Sequence, residues 1–122
     1  MNNTGLSISE ETKQGVYILR LSGEITKETG DELLRWRTWE SGLPGGETTL
    51  MVDFSKVSYI NSAGIAALIR LFRSGSSGLY LSICFGLHYH YEKLFTMVGL
   101  NKYLTVYPNE WIALDRIKSG YL

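Results

Sequence analysis

Apolar and polar positions change their spacing once near the middle of the chain, and that change predicts a strand followed by a helix. Leu50 to Val52 form an apolar run too short for a buried helix, which favours a strand covered on both faces. Asp53 and Ser55 are expected to end this strand in a short loop. Beyond them, apolar residues return with the i, i+3, i+4, i+7 spacing of one helix face. These residues are Ile65, Leu68, Ile69 and Phe72.

Strand and helix patterns alternate along the rest of the chain. After a turn at Lys13 to Gly15 the pattern is strand, helix, strand, helix, and Gly75 to Gly78 is expected to be another turn. Such an order predicts an α/β fold with parallel neighbouring strands, because parallel strands need crossover connections. The remaining predicted strands are Leu6 to Ile8, Val16 to Leu21, Leu79 to Phe85 and Leu104 to Tyr107, and the remaining predicted helices are Lys27 to Ser41, Tyr91 to Val98 and a last one capped by Asn109.

The start of the central helix has its own chemistry. Asn61 is a good N-cap residue, because its side-chain oxygen can accept a hydrogen bond from an unpaired N–H of the first turn. Ser62 then occupies the first helical position, and Ala63 and Gly64 add little bulk around its hydroxyl. Taken alone, this pattern favours a plain helix start, so local chemistry makes Ser62 a candidate site only.

Three segments resemble the STAS domain, the fold of sulfate transporters and anti-sigma-factor antagonists. The segment from Asp53 through Val57 to Ile65 resembles its signature loop, Lys93 to Leu104 resembles its penultimate helix, glycine-leucine turn and last strand, and Val16 to Glu24 resembles its second strand. The segments occur in the family's order and spacing. The resemblance implies one STAS domain over residues 1–122, with a mixed, mostly parallel sheet of four to five strands and about four helices.

In that family the loop serine is a regulatory phosphorylation site, and the resemblance places this role on Ser62, with Asn61, Ala63 and Gly64 shaping the loop. The unphosphorylated domain would bind an anti-sigma factor that is also a serine kinase of the histidine-kinase-like ATPase type, and phosphorylation would release it. A serine phosphatase would reverse the modification. ATP and the catalytic residues belong to those partners, so this chain is expected to be no enzyme and to need no cofactor. The resemblance places the partner-binding surface on Glu24, Thr26, Ala63, Ala66, Ala67 and Arg70.

Two positions depart from the family's pattern. The family commonly has an aspartate directly before the phosphoacceptor and an acidic residue after the Gly-Glu of the second strand. Here Asn61 and Thr26 occupy these positions. Two local negative charges that a kinase or phosphatase could recognise are therefore absent.

Composition narrows the class of partner. The chain has 122 residues, of which 44% are hydrophobic and 20% charged, a composition ordinary for one globular domain. Twelve basic residues balance twelve acidic ones, which argues against nucleic-acid binding and against adhesion to an anionic membrane. Cys84 is the only cysteine, and neither a secretion signal nor a membrane-spanning run is evident in the sequence. We therefore expect a cytoplasmic protein that binds other proteins without inserting into a membrane.

Other kinds of site receive less support. His88 and His90 lack the further ligands of a metal site, and we expect both to be solvated. The surroundings of Ser62 lack the glycine pattern of a nucleophile elbow, which argues against a hydrolase. Among Trp36, Trp39 and Trp111, all expected in helices, Trp36 and Trp39 cannot both lie centrally on a narrow stripe, so one is expected to be exposed. Two alternative functions stay open: an accessory subunit of a lipid-handling ABC transporter ATPase, and a small-ligand or nucleotide sensor.

Overall fold

A single mixed β-sheet organises the chain. In the computed structural model, which describes residues 5–75 and 78–120, the strands are Leu6–Lys13 (β1), Val16–Ile25 (β2), Thr49–Ile60 (β3), Leu81–Phe85 (β4) and Thr105–Tyr107 (β5). The strand order is β1-β2-β3-β4-β5; β1 is antiparallel to β2, and the other neighbours are parallel. The predicted fold class is therefore confirmed, including the hairpin followed by alternating strands and helices.

Four described helices cover the sheet unequally. They are Lys27–Arg35 (α1), Ser62–Ser74 (α2), Tyr89–Met97 (α3) and Glu110–Ser119 (α4). The larger core cluster joins α1, α2 and α3 to one sheet face through residues such as Leu33, Leu68 and Phe95. The smaller cluster joins α4 to the other face through Ala113. The face that carries three helices is the face on which α1 and α2 begin side by side.

The first helix is shorter than the sequence predicts, ending at Arg35 and not at Ser41. Trp39 turns back and is 2% exposed, and its indole nitrogen donates to the carbonyl of Leu33 at 3.0 Å. The same carbonyl also accepts from the Trp36 amide at 3.2 Å, in the last turn of the helix, so burial of the indole and termination of the helix occur together. Trp39 thus lies in a 3₁₀ turn, Trp39–Ser41, while Trp36 is the exposed tryptophan of the pair at 40%.

The central strand is longer than predicted. The expected break at Asp53 and Ser55 does not occur, and β3 continues to Ile60, so that Asn61 alone separates strand from helix. Asp53 stays inside the sheet because its carboxylate is satisfied: it accepts from the Ser55 hydroxyl at 2.6 Å and from the Arg20 guanidinium at 3.0 Å. A buried carboxylate with such partners does not need water. β1 likewise extends past Ile8 to Lys13, and of the predicted turn at 75–78 the inner two residues lie outside the described residues.

Candidate functional site

Ser62 lies at the edge of the sheet where β2 and β3 both end. The register pairs Ile25 with Ile60, and the Asn61 amide donates to the carbonyl of Ile25 at 3.1 Å. Because parallel strands end at the same edge, α1 and α2 both begin here, and the partial positive ends of their backbone dipoles lie at this edge. The site is therefore built by two strand ends and two helix starts.

Asn61 caps α2, as the sequence predicts. Its backbone is extended, and its side-chain oxygen accepts from the Gly64 amide at 2.8 Å. Ser62 is the first residue of the helix, and its side chain is exposed. Since Asn61 supplies the cap, the Ser62 hydroxyl is not needed for it and can face an incoming molecule.

Close packing at the start of α2 requires glycine at position 64. A Cβ at this position would lie 2.1 Å from the carbonyl oxygen of Ile25, a distance that no side chain tolerates. One turn along α1, Gly30 allows a similar approach, since a Cβ there would lie 2.7 Å from that of Ala67. Glycine at these two positions lets the start of α2 pack directly on the end of β2 and on α1.

Thr26 and Thr29 secure the start of α1. The Thr26 amide donates to the Thr29 hydroxyl at 2.8 Å, and that hydroxyl donates to the carbonyl of Glu24 at 2.8 Å. Thr26 is the N-cap residue, and Thr29 is 1% exposed. Thr29 lies at the third helical position with its hydroxyl turned back on the loop, so the capping box is formed by Thr26 and Thr29.

Sequence reasoning missed two groups that support this edge. Tyr91 of α3 accepts a hydrogen bond from the Ile60 amide at 3.2 Å, so its hydroxyl holds the last residue of β3. Gly30 is the other, and the only signal for it was a glycine inside a helical pattern. Nothing in the sequence pattern distinguishes Tyr91 from the other tyrosines.

The predicted partner surface is mostly accessible, with one correction. Glu24, Ala66 and Arg70 are exposed, and Ala63 and Thr26 are partly exposed. Ala67 is only 6% exposed and faces Gly30 of α1, so its prediction as a contact residue is wrong. The resemblance placed Ala67 on the contact surface, but α1 covers it.

Other candidate groups show no shared site. His88 and His90 are exposed at the start of α3, where the ring nitrogen of His88 accepts from the His90 amide at 3.2 Å. Within residues 5–75 and 78–120, no group of three or more metal-ligating side chains comes together. Cys84 is fully buried, and burial raises the pKa of its thiol, which disfavours the reactive thiolate.

The comparisons with known proteins agree with this architecture. The family model of the STAS domain matches residues 7–111. A relative named anti-sigma F factor antagonist, from Paenibacillus polymyxa, is 25% identical over 114 residues, which cover 93% of this chain and 96% of that protein. The chain therefore belongs to the STAS domain family.

Solved structures match the fold at low sequence identity. An anti-sigma factor antagonist from Mycobacterium paratuberculosis matches with a TM-score of 0.74 at 20% identity, covering 93% of this chain and 94% of that one. The Bacillus cell fate determinant SpoIIAA in its phosphorylated form matches with a TM-score of 0.65 at 21% identity, covering 91% and 99%. The chain has the fold of anti-sigma factor antagonists, and no helix among its described residues is long and apolar enough to span a membrane.

Proposed function

We propose that this chain is a phosphorylation-controlled protein-binding switch of the anti-sigma-factor-antagonist type. With Ser62 unmodified, the surface around it binds an anti-sigma factor that is also a serine kinase, and phosphorylation of Ser62 releases that partner. The observation that carries the proposal is the exposed Ser62 at the first position of a helix that Asn61 caps. The relative's name and the phosphorylated form of the structurally similar SpoIIAA support it.

The modification should leave the fold intact. A phosphate carries about −1.5 to −2 charges and three acceptor oxygens, and a helix start offers N–H groups and a partial positive charge. At Ser62 the phosphate would meet this favourable environment at an exposed position. The switch would thus act on binding and not on folding.

Release of the partner follows from the cost of desolvation. A charged phosphate inside an interface loses its water, and without a cation on the partner this loss is not repaid. A hundredfold loss of affinity requires only about 2.8 kcal/mol. The proposed contact surface comprises Glu24, Thr26, Ala63, Ala66 and Arg70 around the hydroxyl.

The test uses the anti-sigma factors of the histidine-kinase-like ATPase type from the same organism. Incubation of the protein with each of them and ATP should add one phosphate, measured by intact mass. Ser62→Ala should abolish it, whereas the matched control Ser58→Ala, at an exposed serine of β3, should not. Ser62→Asp should lower affinity for the same partner at least tenfold in calorimetry.

Two results would contradict the proposal. If none of these kinases modifies the protein, Ser62 is not their substrate. If the protein instead copurifies with a transporter ATPase and Ser62→Asp leaves that complex unchanged, the chain serves as a constitutive accessory subunit. By contrast, a serine phosphatase that removes the phosphate from Ser62 and restores partner binding would support the proposal.

A further inference from the structure

Beside Ser62, α2 and α3 leave a groove of about 500 Å³ between them. One wall is the α2 stripe of Ser62, Ile65, Ala66 and Ile69, and the other includes Leu94 of α3 and Val98 directly after that helix. We call this the α2–α3 groove. Its remaining lining residues are Tyr59, Ile60 and Asn61 at the end of β3.

The α2–α3 groove is apolar and open. None of its lining residues carries a charge, and two of them, Tyr59 and Val98, are 47% and 46% exposed. A small ligand in a groove with such open walls would stay largely uncovered, whereas small-molecule sites bury most of their ligand. Exposed apolar surface of this kind is typical of contacts with another protein.

The two ends of the α2–α3 groove differ in charge. Ser62 lies at one end, together with Asn61. At the other end, Arg70 follows Ala66 by four residues, so it continues the same side of α2, and it is exposed. A cationic end next to an uncharged groove favours a partner segment with an acidic residue at the matching position.

We infer that the α2–α3 groove binds an amphipathic helix of the partner protein, with apolar side chains at i, i+4 and i+7 in the groove and an acidic side chain beyond them at Arg70. The inference rests on the proposed function and names the contact chemistry of its partner. Seven residues separate Ser62 from Ile69, about 10 Å along the helix axis, which matches two turns of a docked helix. A phosphate on Ser62 would bring charge to the end of this apolar contact.

The experiment selects binders from a displayed library of helix-forming peptides of about 16 residues. We expect enriched sequences to carry apolar residues at i, i+4 and i+7 and an acidic residue beyond them. A labelled consensus peptide should bind in fluorescence anisotropy and shift the amide resonances of Ile65, Ala66, Ile69 and Val98. Ala66→Glu should weaken it at least tenfold.

Arg70→Glu should weaken the acidic peptide about threefold and strengthen a charge-reversed version, since exposed ion pairs contribute modestly. The matched control Lys118→Glu, a charge reversal on exposed α4, should change neither peptide's affinity.

Several results would overturn the inference. An empty selection, or peptides that bind Ala66→Glu as well as the unmodified protein, would place the contact elsewhere. Saturable resonance shifts with decanoate but not with the peptide would make the groove a site for apolar ligands, and sedimentation showing dimers that Ala66→Glu dissociates would make a second copy its occupant. If the kinase phosphorylates Ser62 but binds Ala66→Glu and Arg70→Glu normally, the phosphorylation switch stands, whereas this inference fails and Ala66 and Arg70 leave the proposed contact surface.

Discussion

Two regions of the β2–β3 pair differ in how their polar groups are paired: the sheet face under α4, and the edge where both strands end near Ser62. On the α4 side, Arg20 forms an ionic cluster with the carboxylates of Glu11, Asp53 and Glu110. Around Ser62, which we call the Ser62 edge, the hydrogen bonds that fix the loop come from amides, hydroxyls and the Asn61 side chain. The first region is held by ion pairs. In the second, the bonds that fix the loop come from uncharged groups, apart from a 3.4 Å contact of the Thr26 hydroxyl with the Glu28 carboxylate.

The ionic cluster ties α4 to the sheet. Arg20 donates to both carboxylate oxygens of Glu110, at 2.9 and 3.0 Å, and to Asp53 at 3.0 Å. These bonds lower the pKa of the Glu110 carboxyl and raise the pKa of the Arg20 guanidinium. Glu110 is the first residue of α4, so the cluster fixes that helix where its packing against the sheet begins.

The difference between the Arg20 cluster and the Ser62 edge indicates where an added negative charge would affect the binding of a partner. A phosphate near Arg20 would enter a cluster in which one guanidinium already meets three carboxylates, so the protein itself would repel the added charge. At the Ser62 edge the loop's own bonds are neutral, so the charge of a phosphate would be presented to whatever docks there. Because the hydrogen bonds of the loop do not depend on charge, phosphorylation can change the charge of this surface without breaking them.

Gly64→Ala is expected to have the largest effect on stability. The new Cβ would lie 2.1 Å from the Ile25 carbonyl oxygen, so α2 must move away from β2. We expect a loss of about 3 kcal/mol in the free energy of unfolding, measured by urea denaturation. Ala66→Ser, at an exposed position of the same helix, should stay within about 0.5 kcal/mol. Equal stability of the two variants would mean that the Ser62 edge is not packed this tightly.

Arg20→Gln comes next and addresses the ionic cluster. It leaves the Asp53 carboxylate without its cation and Glu110 with only Lys13, at 3.6 Å, and we expect a loss of about 2 kcal/mol, less than for a fully buried pair because the cluster is partly exposed. Lys118→Gln should change stability by less than about 0.5 kcal/mol. If Arg20→Gln also lost less than about 0.5 kcal/mol, packing and not the ionic cluster would hold α4 on the sheet.

The same variant should change the response to acid. The Glu110 pKa is lower in the folded protein than in the unfolded chain, so its contribution is fully present above the unfolded value and is lost as the pH falls through the folded value. The unmodified protein should therefore lose stability below about pH 4.3 more steeply than Arg20→Gln. Parallel denaturation curves between pH 3 and pH 6 (about one curve per half unit) would contradict this assignment.

Much of the architecture could be predicted from local patterns. Asn61 and Asn109 were predicted as caps, and their side-chain oxygens accept from the amides of Gly64 and Ile112. The start of α2 and its apolar face were predicted correctly because its cap and its apolar stripe agree. The resemblance to the STAS domain, and not periodicity, pointed to Ser62.

The errors arose where tertiary contacts overrode local signals. Asp53 reads as a strand breaker, but Arg20, which is 33 residues away in sequence, satisfies it within the sheet. Trp39 reads as helical, but burial of its indole against Leu33 ends the helix. Ala67 reads as accessible, but α1 covers it through Gly30. In each case the deciding partner is distant along the chain or invisible to a periodicity argument.

Tyr91→Phe is expected to have a smaller effect, at the Ser62 edge. It removes the acceptor of the Ile60 amide, which leaves a strand-end N–H without that partner and should cost about 1 kcal/mol. Amide hydrogen exchange at Ile60 and Asn61 should accelerate more than at the centre of β3. The control Tyr89→Phe, at a side chain that is 70% exposed, should leave exchange at both amides unchanged. If amide exchange accelerated uniformly along β3, the substitution would have destabilised the whole protein, and the Tyr91 hydroxyl would not stabilise the strand end specifically.

Asn61→Asp should have the smallest effect on stability. It tests most directly whether the Ser62 edge, unlike the Arg20 cluster, needs uncharged groups. Aspartate caps as well as asparagine, and its charge lies at the favourable end of the helix dipole, so we expect a gain of no more than about 0.5 kcal/mol, which salt should reduce. Asn61→Ala, which removes the acceptor of the Gly64 amide, should instead cost about 1 kcal/mol. If Asn61→Asp destabilises the protein by as much as Asn61→Ala, the loop requires an uncharged cap, and the neutrality of the Ser62 edge is then a structural need. If the two variants differ as expected, the fold tolerates a charge beside Ser62, and any change in partner affinity that Asn61→Asp produces reports on recognition alone.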